Sequence, residues 1–186
     1  IAYRFHRLLY WEKSVYTYFL LNHLLFLFLL VPVVRAEEED LAPNAKSAIM
    51  IEASTGEILF QKNKDEKLAP ASMTKMMSML LIMEEIEKGN LKWDEMITAS
   101  ERAASMGGSQ IFLKVGEKMS VTDMVKGISI ASGNDATVAM AERISGSEES
   151  FVKKMNDRAK ELGLKNTNFI NATGLTADNH YSSAND

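Results

Sequence analysis

The chain has 186 residues, 46% hydrophobic and 25% charged, with 10 Gly and 3 Pro, a balance that describes one globular domain and excludes disordered and collagen-like chains. Its 21 basic and 25 acidic residues leave a net charge of -4; the first 36 positions hold four basic residues against Glu12, and the other 150 hold 17 basic against 24 acidic. That acidity, with no basic stripe interleaved with aromatics, argues against a nucleic-acid partner, the lack of Cys excludes disulfides and thiolate chemistry, and three scattered His give no basis for a metal or other cofactor.

Residues 1–36 read as an export signal with a basic flank. No charged side chain occurs from Ser14 to Val34, the core Leu24 to Val34 is apolar, and Val34-Arg35-Ala36 favours cleavage after Ala36. The uncharged stretch is also long enough to span a bilayer, so an uncleaved anchor stays open. In either case membrane contact is confined to this signal. Residues 37–46, opening with Glu37-Glu38-Glu39-Asp40, read as a linker, and 47–186 as the folded domain.

Ser47 to Glu52 and Glu57 to Gln61 are short apolar runs around Ala53-Ser54-Thr55-Gly56, the pattern of an antiparallel hairpin. A long helix is predicted from Met73 to Glu87, stopped by Gly89-Asn90, with Met73, Met76, Met77, Leu80, Met83 and Ile86 as its buried stripe. Ser120-Val121-Thr122-Asp123 reads as a capped start for a helix to about Ile130, and Asn134 to Ile144 as a helix closed by Gly146. A further helix from Glu148 to Leu162 is expected to bury Phe151, Val152, Met155, Ala159 and Leu162. Ala172 to Asp186 is loop.

Chemistry concentrates first at Ser72-Met73-Thr74-Lys75. Three helical residues turn through about 300°, so the side chains of Ser72 and Lys75 share one face a turn apart. A serine hydroxyl needs a base to become nucleophilic, a lysine can be that base if burial lowers its pKa, and a helix N-terminus favours a developing oxyanion. Alone, Ser-x-x-Lys is better read as an N-cap serine with a solvated lysine. The second place is Ser132-Gly133-Asn134, a polar break between two helices, which alone also fits a simple cap. In this order, Ser-x-x-Lys and Ser-x-Asn make two thirds of the signature of penicillin-interacting serine enzymes.

The sequence resembles the serine-type D-alanyl-D-alanine carboxypeptidases, the low-molecular-mass penicillin-binding proteins, in the branch found in endospore-forming bacteria. The resembling segments are ASTGEILFQKN (53–63), LAPASMTKMMS (68–78), GGSQIFLKVGE (107–117), ISIASGNDATVAMAE (128–142), KELGLKNTNF (160–169) and NATGLTADNHYSSAND (171–186). The resemblance implies an α+β, β-lactamase/transpeptidase-like fold, an antiparallel sheet with helices plus a helical subdomain. It also implies work on peptidoglycan stem peptides ending in D-Ala-D-Ala, outside the cytoplasmic membrane at the cell wall, with β-lactam antibiotics as inhibitors. Ser72 is implied as the nucleophile, Lys75 as its proton acceptor and Ser132 as the proton relay to the leaving D-Ala amine. Asn134 is implied to hydrogen-bond the substrate amide and Lys75.

The family's third motif, Lys-Thr-Gly, is absent: Ser54-Thr55-Gly56 and Ala172-Thr173-Gly174 lack the Lys and read as turns. The expectation is therefore a chain truncated before the late sheet strands and an activity in doubt, with a β-lactamase-like hydrolase or a non-catalytic cell-wall-binding fragment as alternatives. Three further features read as bystanders. Asn171-Ala172-Thr173 matches a glycosylation acceptor, Glu161 is a solvated helix end, and His180 is a satisfied loop histidine.

Overall fold

The turn chemistry at Ala53–Gly56 produces a hairpin in the computed structural model, which describes residues 40–186; the export signal and the first part of the expected linker, 1–39, lie outside the described residues. Strands β1 (Ala48–Ile51) and β2 (Ile58–Lys62) pair antiparallel with Ala48 opposite Lys62 and Met50 opposite Phe60, and the register slips between Met50 and Ile51. The Glu52 carboxylate organises the turn. Its Oε2 accepts the N–H of Ser54 at 3.0 Å, the N–H of Thr55 at 2.7 Å and the Ser54 hydroxyl at 2.7 Å. Gly56 then takes φ +74°, open to glycine at little cost. From the preceding segment, Ala42 O accepts Lys62 Nζ at 2.9 Å and Lys46 O accepts Asn63 Nδ2 at 3.0 Å, so residues 42–46 fold back on the hairpin.

A 3-10 turn, Ala71–Thr74, leads into helix α1 (Lys75–Glu87). The helix forms where predicted and Met77 is buried as predicted, but the rest of the buried face differs from the predicted stripe. Met73 and Met76 are exposed, Leu80, Met83 and Ile86 are partly buried, and the interior takes Thr74, Lys75, Met77, Ser78, Leu81 and Ile82. The physical reason is that α1 is apolar nearly all round, so spacing alone does not select a face. Selection falls to two polar side chains with buried partners: Ser78 Oγ donates to Ala172 O at 2.7 Å and Lys75 Nζ to Thr173 O at 2.8 Å.

Three elements between 90 and 120 escaped the sequence reading. Strands β3 (Met96–Thr98) and β4 (Lys118–Ser120) pair antiparallel, and the short helix α2 (Glu101–Ala104) starts at Ser100, whose side chain accepts the N–H of Ala103. With three residues each, these strands are too short to show alternation. Helix α3 (Val121–Ala131) starts as read, with Ser120 accepting from Asp123 N and donating to Asp123 Oδ2.

Helix α4 (Asn134–Ser145) is central, touching α1, α2 and α3 and packing also on α5 (Glu148–Glu161). Every residue from Asn134 to Ala141 is buried, and Ala136, Ala139 and Ala141 let neighbours approach closely. One apolar cluster joins Ile82, Leu91, Ile97, Val121, Met124, Val138 and Met140; a second joins Met77, Leu81, Phe151, Met155, Ala159 and Phe169. On α5, Phe151, Met155 and Ala159 are buried as predicted, whereas Leu162, just past the helix end, is exposed. No helix among the described residues is long and apolar enough to cross a membrane.

After Gly163 the chain runs as loop, stitched by backbone bridges between Asn168 and Tyr181 and between Leu68 and Ser182. The second bridge ties the loop to the segment just before the Ala71–Thr74 turn.

Candidate active site

Pro70 fixes the approach to the turn, and Ala71 adopts a left-handed φ of +47°, which costs an L-residue roughly 1–2 kcal/mol. Ser72 follows, exposed at the surface, and Lys75 lies beneath it with 5% of its surface exposed. Lys75 Nζ is 3.3 Å from Ser72 Oγ and donates to Thr173 O at 2.8 Å. Both partners are neutral, and no ion pair forms at Lys75 among the described residues. Burial therefore pushes the Lys75 ammonium below its ordinary value of 10.5.

Asn134 and Ser132 sit where α3 ends and α4 begins. Ser132 terminates α3 in the left-handed region at φ +55°, with its hydroxyl buried and without a hydrogen-bond partner among the described residues. A buried hydroxyl left unbonded is costly, and such atoms gather where a ligand or substrate supplies the missing partner. Asn134 Nδ2 donates to Gly107 O at 2.7 Å. The hydrogen bond expected between Asn134 and Lys75 is not formed: Asn134 Nδ2 donates to Gly107 O, and Lys75 Nζ donates to Thr173 O.

Polar residues in the fully buried stretch from Asn134 to Ala141 must find partners within the fold. Asp135 accepts the N–H groups of Ile111 at 3.1 Å, Leu113 at 3.0 Å and Ala136 at 2.9 Å, which pins the loop 107–113 across the start of α4. Phe112, between two of these donors, is held at φ +62° with its side chain exposed. The same loop meets Asn134 closely, since a Cβ on Gly108 would lie 2.9 Å from Asn134 Nδ2 and 3.6 Å from Leu175.

The segment Ala172–Gly174 closes the site from the other side. Ala172 and Thr173 lend their carbonyls to Ser78 and Lys75, and Asn171 Oδ1 accepts the N–H of Thr173 at 3.1 Å and of Gly174 at 2.7 Å. Gly174 runs so close to the Ser72 turn that a Cβ there would lie 1.8 Å from Ala71 O. Glu148 Oε1 accepts Ala172 N at 3.2 Å while its Oε2 holds Arg102. Both Thr-Gly pairs are thus turns, and Asn171 is committed to holding one of them. Glu161 is exposed and paired with Arg158. Sequence reasoning missed Asp135, Glu148 and the structural use of Thr173; only the Asn171–Gly174 pattern, an Asx turn with glycine, carried a local signal. No three His, Asp or Glu side chains among the described residues converge as they would around a metal.

A family profile described as D-alanyl-D-alanine carboxypeptidase matches residues 33–186. The chain belongs to this family. It is 67% identical over 147 residues to the D-alanyl-D-alanine carboxypeptidase DacF of Bacillus subtilis, covering 79% of this chain and 38% of DacF. Over 170 residues it is 41% identical to DacC of Escherichia coli, covering 87% of this chain and 42% of DacC. The chain therefore spans about two fifths of the length of these relatives. Among solved structures, the D-alanyl-D-alanine carboxypeptidase DacD of Francisella tularensis superposes with a TM-score of 0.74 at 44% identity, over 76% of this chain and 34% of that one. Penicillin binding protein 5 of Haemophilus influenzae gives 0.73 at 39% identity, over 76% and 42%. The α+β fold of the penicillin-binding carboxypeptidases is the fold of this chain.

Proposed function

We propose that this chain carries the nucleophile side of an exported serine D-alanyl-D-alanine carboxypeptidase. The observation that carries the reading is an exposed Ser72 hydroxyl 3.3 Å from a buried lysine that has only neutral partners. Lys75, with its pKa depressed by burial, takes the Ser72 proton as Oγ attacks the carbonyl of the penultimate D-Ala. The tetrahedral intermediate collapses by breaking the peptide C–N bond. The departing D-Ala amine receives its proton through Ser132, whose unpartnered hydroxyl is free to relay it. Asn134 hydrogen-bonds the peptide amide of the substrate. Water then hydrolyses the Ser72 ester, releasing the shortened stem peptide and returning the proton to Ser72. A β-lactam forms the same ester and deacylates slowly, so it inhibits. Peptidoglycan as substrate goes with an extracytoplasmic location, supported by the leader-like residues 1–36.

The test is covalent labelling of the chain with a fluorescent penicillin, followed by peptide mapping. The expected result is a long-lived adduct on Ser72 that is absent from Ser72→Ala. Label retained in that variant, or no adduct on the parent chain, overturns the reading. Rapid turnover of a chromogenic cephalosporin replaces it with a β-lactamase.

A further inference from the structure

The proposed chemistry leaves unused a buried imidazole next to the Ser72 turn. His180 is 6% exposed, and its Nε2 lies 2.8 Å from Thr74 Oγ1, across 106 positions of sequence. Its Nδ1 accepts the N–H of Ile170 at 3.2 Å, and the Phe169 ring meets the imidazole edge-on at 5.9 Å between centroids. A ring nitrogen that accepts an N–H carries no proton, so in the neutral ring the proton is on Nε2 and Nε2–H donates to Thr74 Oγ1. Both polar atoms of the ring are thereby committed.

Thr74 enters α1 with helical dihedrals, φ -47° and ψ -36°, so its hydroxyl is not placed to cap the helix and is directed to His180 instead. The turn it belongs to is strained, because Ala71 is left-handed, and strained backbone persists only where its surroundings hold it. Thr74 lies between Ser72 and Lys75 in sequence and is itself 2% exposed. The loop that brings His180 also brings Thr173 to Lys75 and Gly174 to Ala71, and its neck is clamped by the Asn168–Tyr181 bridge.

We propose that His180 is a positioning residue for Ser72: through Thr74 Oγ1 it holds the Ala71–Thr74 turn in the geometry that sets Ser72 Oγ beside Lys75 Nζ. The proposal rests on the reading that Ser72 is the reacting hydroxyl. It makes His180 a part of the site that never touches substrate.

The experiment uses the whole chain, its Thr74→Val, His180→Leu and His180→Gln variants, and the Thr74→Val/His180→Leu double variant. Two readouts are taken: the rate constant for penicillin acylation of Ser72, and long-range proton–nitrogen NMR of the His180 ring. A glutamine offers an acceptor oxygen and an NH2 donor group, so His180→Gln is expected to acylate within about threefold of the parent, whereas His180→Leu and Thr74→Val slow acylation by about tenfold, the rate equivalent of one hydrogen bond. The double variant is expected to be no slower than either single one, because both remove the same contact. Parent-like acylation in His180→Leu, additive losses, or a glutamine variant as slow as leucine despite an unchanged melting temperature overturns the proposal. A ring protonated on Nδ1 and bare on Nε2 also overturns it. If the parent chain is not acylated at Ser72, the functional reading has failed, and the contact is then judged by the ring tautomer and by faster amide exchange at Ser72 and Met73 in both single variants.

Discussion

Lys75 donates from Nζ to the main-chain oxygen of Thr173 at 2.8 Å, across 98 positions of sequence. A carbonyl accepts this bond without supplying a negative charge, so burial acts on the ammonium without opposition and its pKa falls. Between the depressed value and the ordinary 10.5 the unfolded chain holds more protons than the folded one, so the lysine's cost to stability is full below that window and disappears as pH rises through it. Acylation should follow the same titration and increase with pH, because only neutral Lys75 can accept the Ser72 proton. Lys75→Arg keeps the charge and cannot deprotonate, so stopped-flow acylation should find nearly all of its rate lost. A pH-independent rate would leave Lys75 as a positional charge only.

Gly174 separates close approach from backbone conformation. At φ +87° with Ala71 O 1.8 Å from a Cβ position, Gly174→Ala meets both penalties and should destabilise by on the order of 3 kcal/mol or more, with loss of Ser72 labelling. Gly163 has φ +79° and open space around its Cβ position, so Gly163→Ala should cost only about 1–2 kcal/mol. Urea unfolding midpoints of the pair check the difference.

The reassigned face of α1 has its own signature. Met76 is 74% exposed and Leu81 3%. Met76→Gln should change stability by less than about 0.5 kcal/mol, while Leu81→Ala should lose roughly 2–5 kcal/mol. Comparable losses at both positions would restore the predicted Met stripe.

Asp135 is the anchor of the loop that carries Gly107 and Gly108 to Asn134. Asp135→Asn keeps the shape but turns an amide donor toward two of the three backbone N–H groups, whichever oxygen it replaces, and should cost roughly 2 kcal/mol or more. Hydrogen exchange should accelerate at Ile111 and Leu113 before it does in α5.

The Glu52 carboxyl, holding the hairpin turn through Ser54 and Thr55, is pushed down from 4.5 to about 2. Its contribution to the hairpin is whole above about pH 4.5 and is lost as pH falls through about 2. Carbon NMR titration of Glu52 should find that low midpoint, and a midpoint near 4.5 would show that these hydrogen bonds are absent in solution.

Local chemistry made much of this molecule readable in advance. Gly56, Gly89 and Gly146 all adopt positive φ where they were expected to turn a hairpin or end a helix, and Ser120 caps α3 through Asp123 as its spacing implied. Ser72 and Lys75 were paired by three residues of helical geometry alone, and the structure holds them in hydrogen-bond contact. Such features depend on neighbours within four positions, so the sequence carries them directly. Which face of α1 turns inward was decided elsewhere, by carbonyls of Ala172 and Thr173 that no local pattern could bring to Ser78 and Lys75. The same holds for the burial of α4 from Asn134 to Ala141, which makes a structural anchor of Asp135, and for His180, whose partner Thr74 lies far away in the chain. Periodicity reports how a segment can be buried; only the packing of distant segments settles which polar groups are buried with it, because each must find its hydrogen-bond partner across the fold.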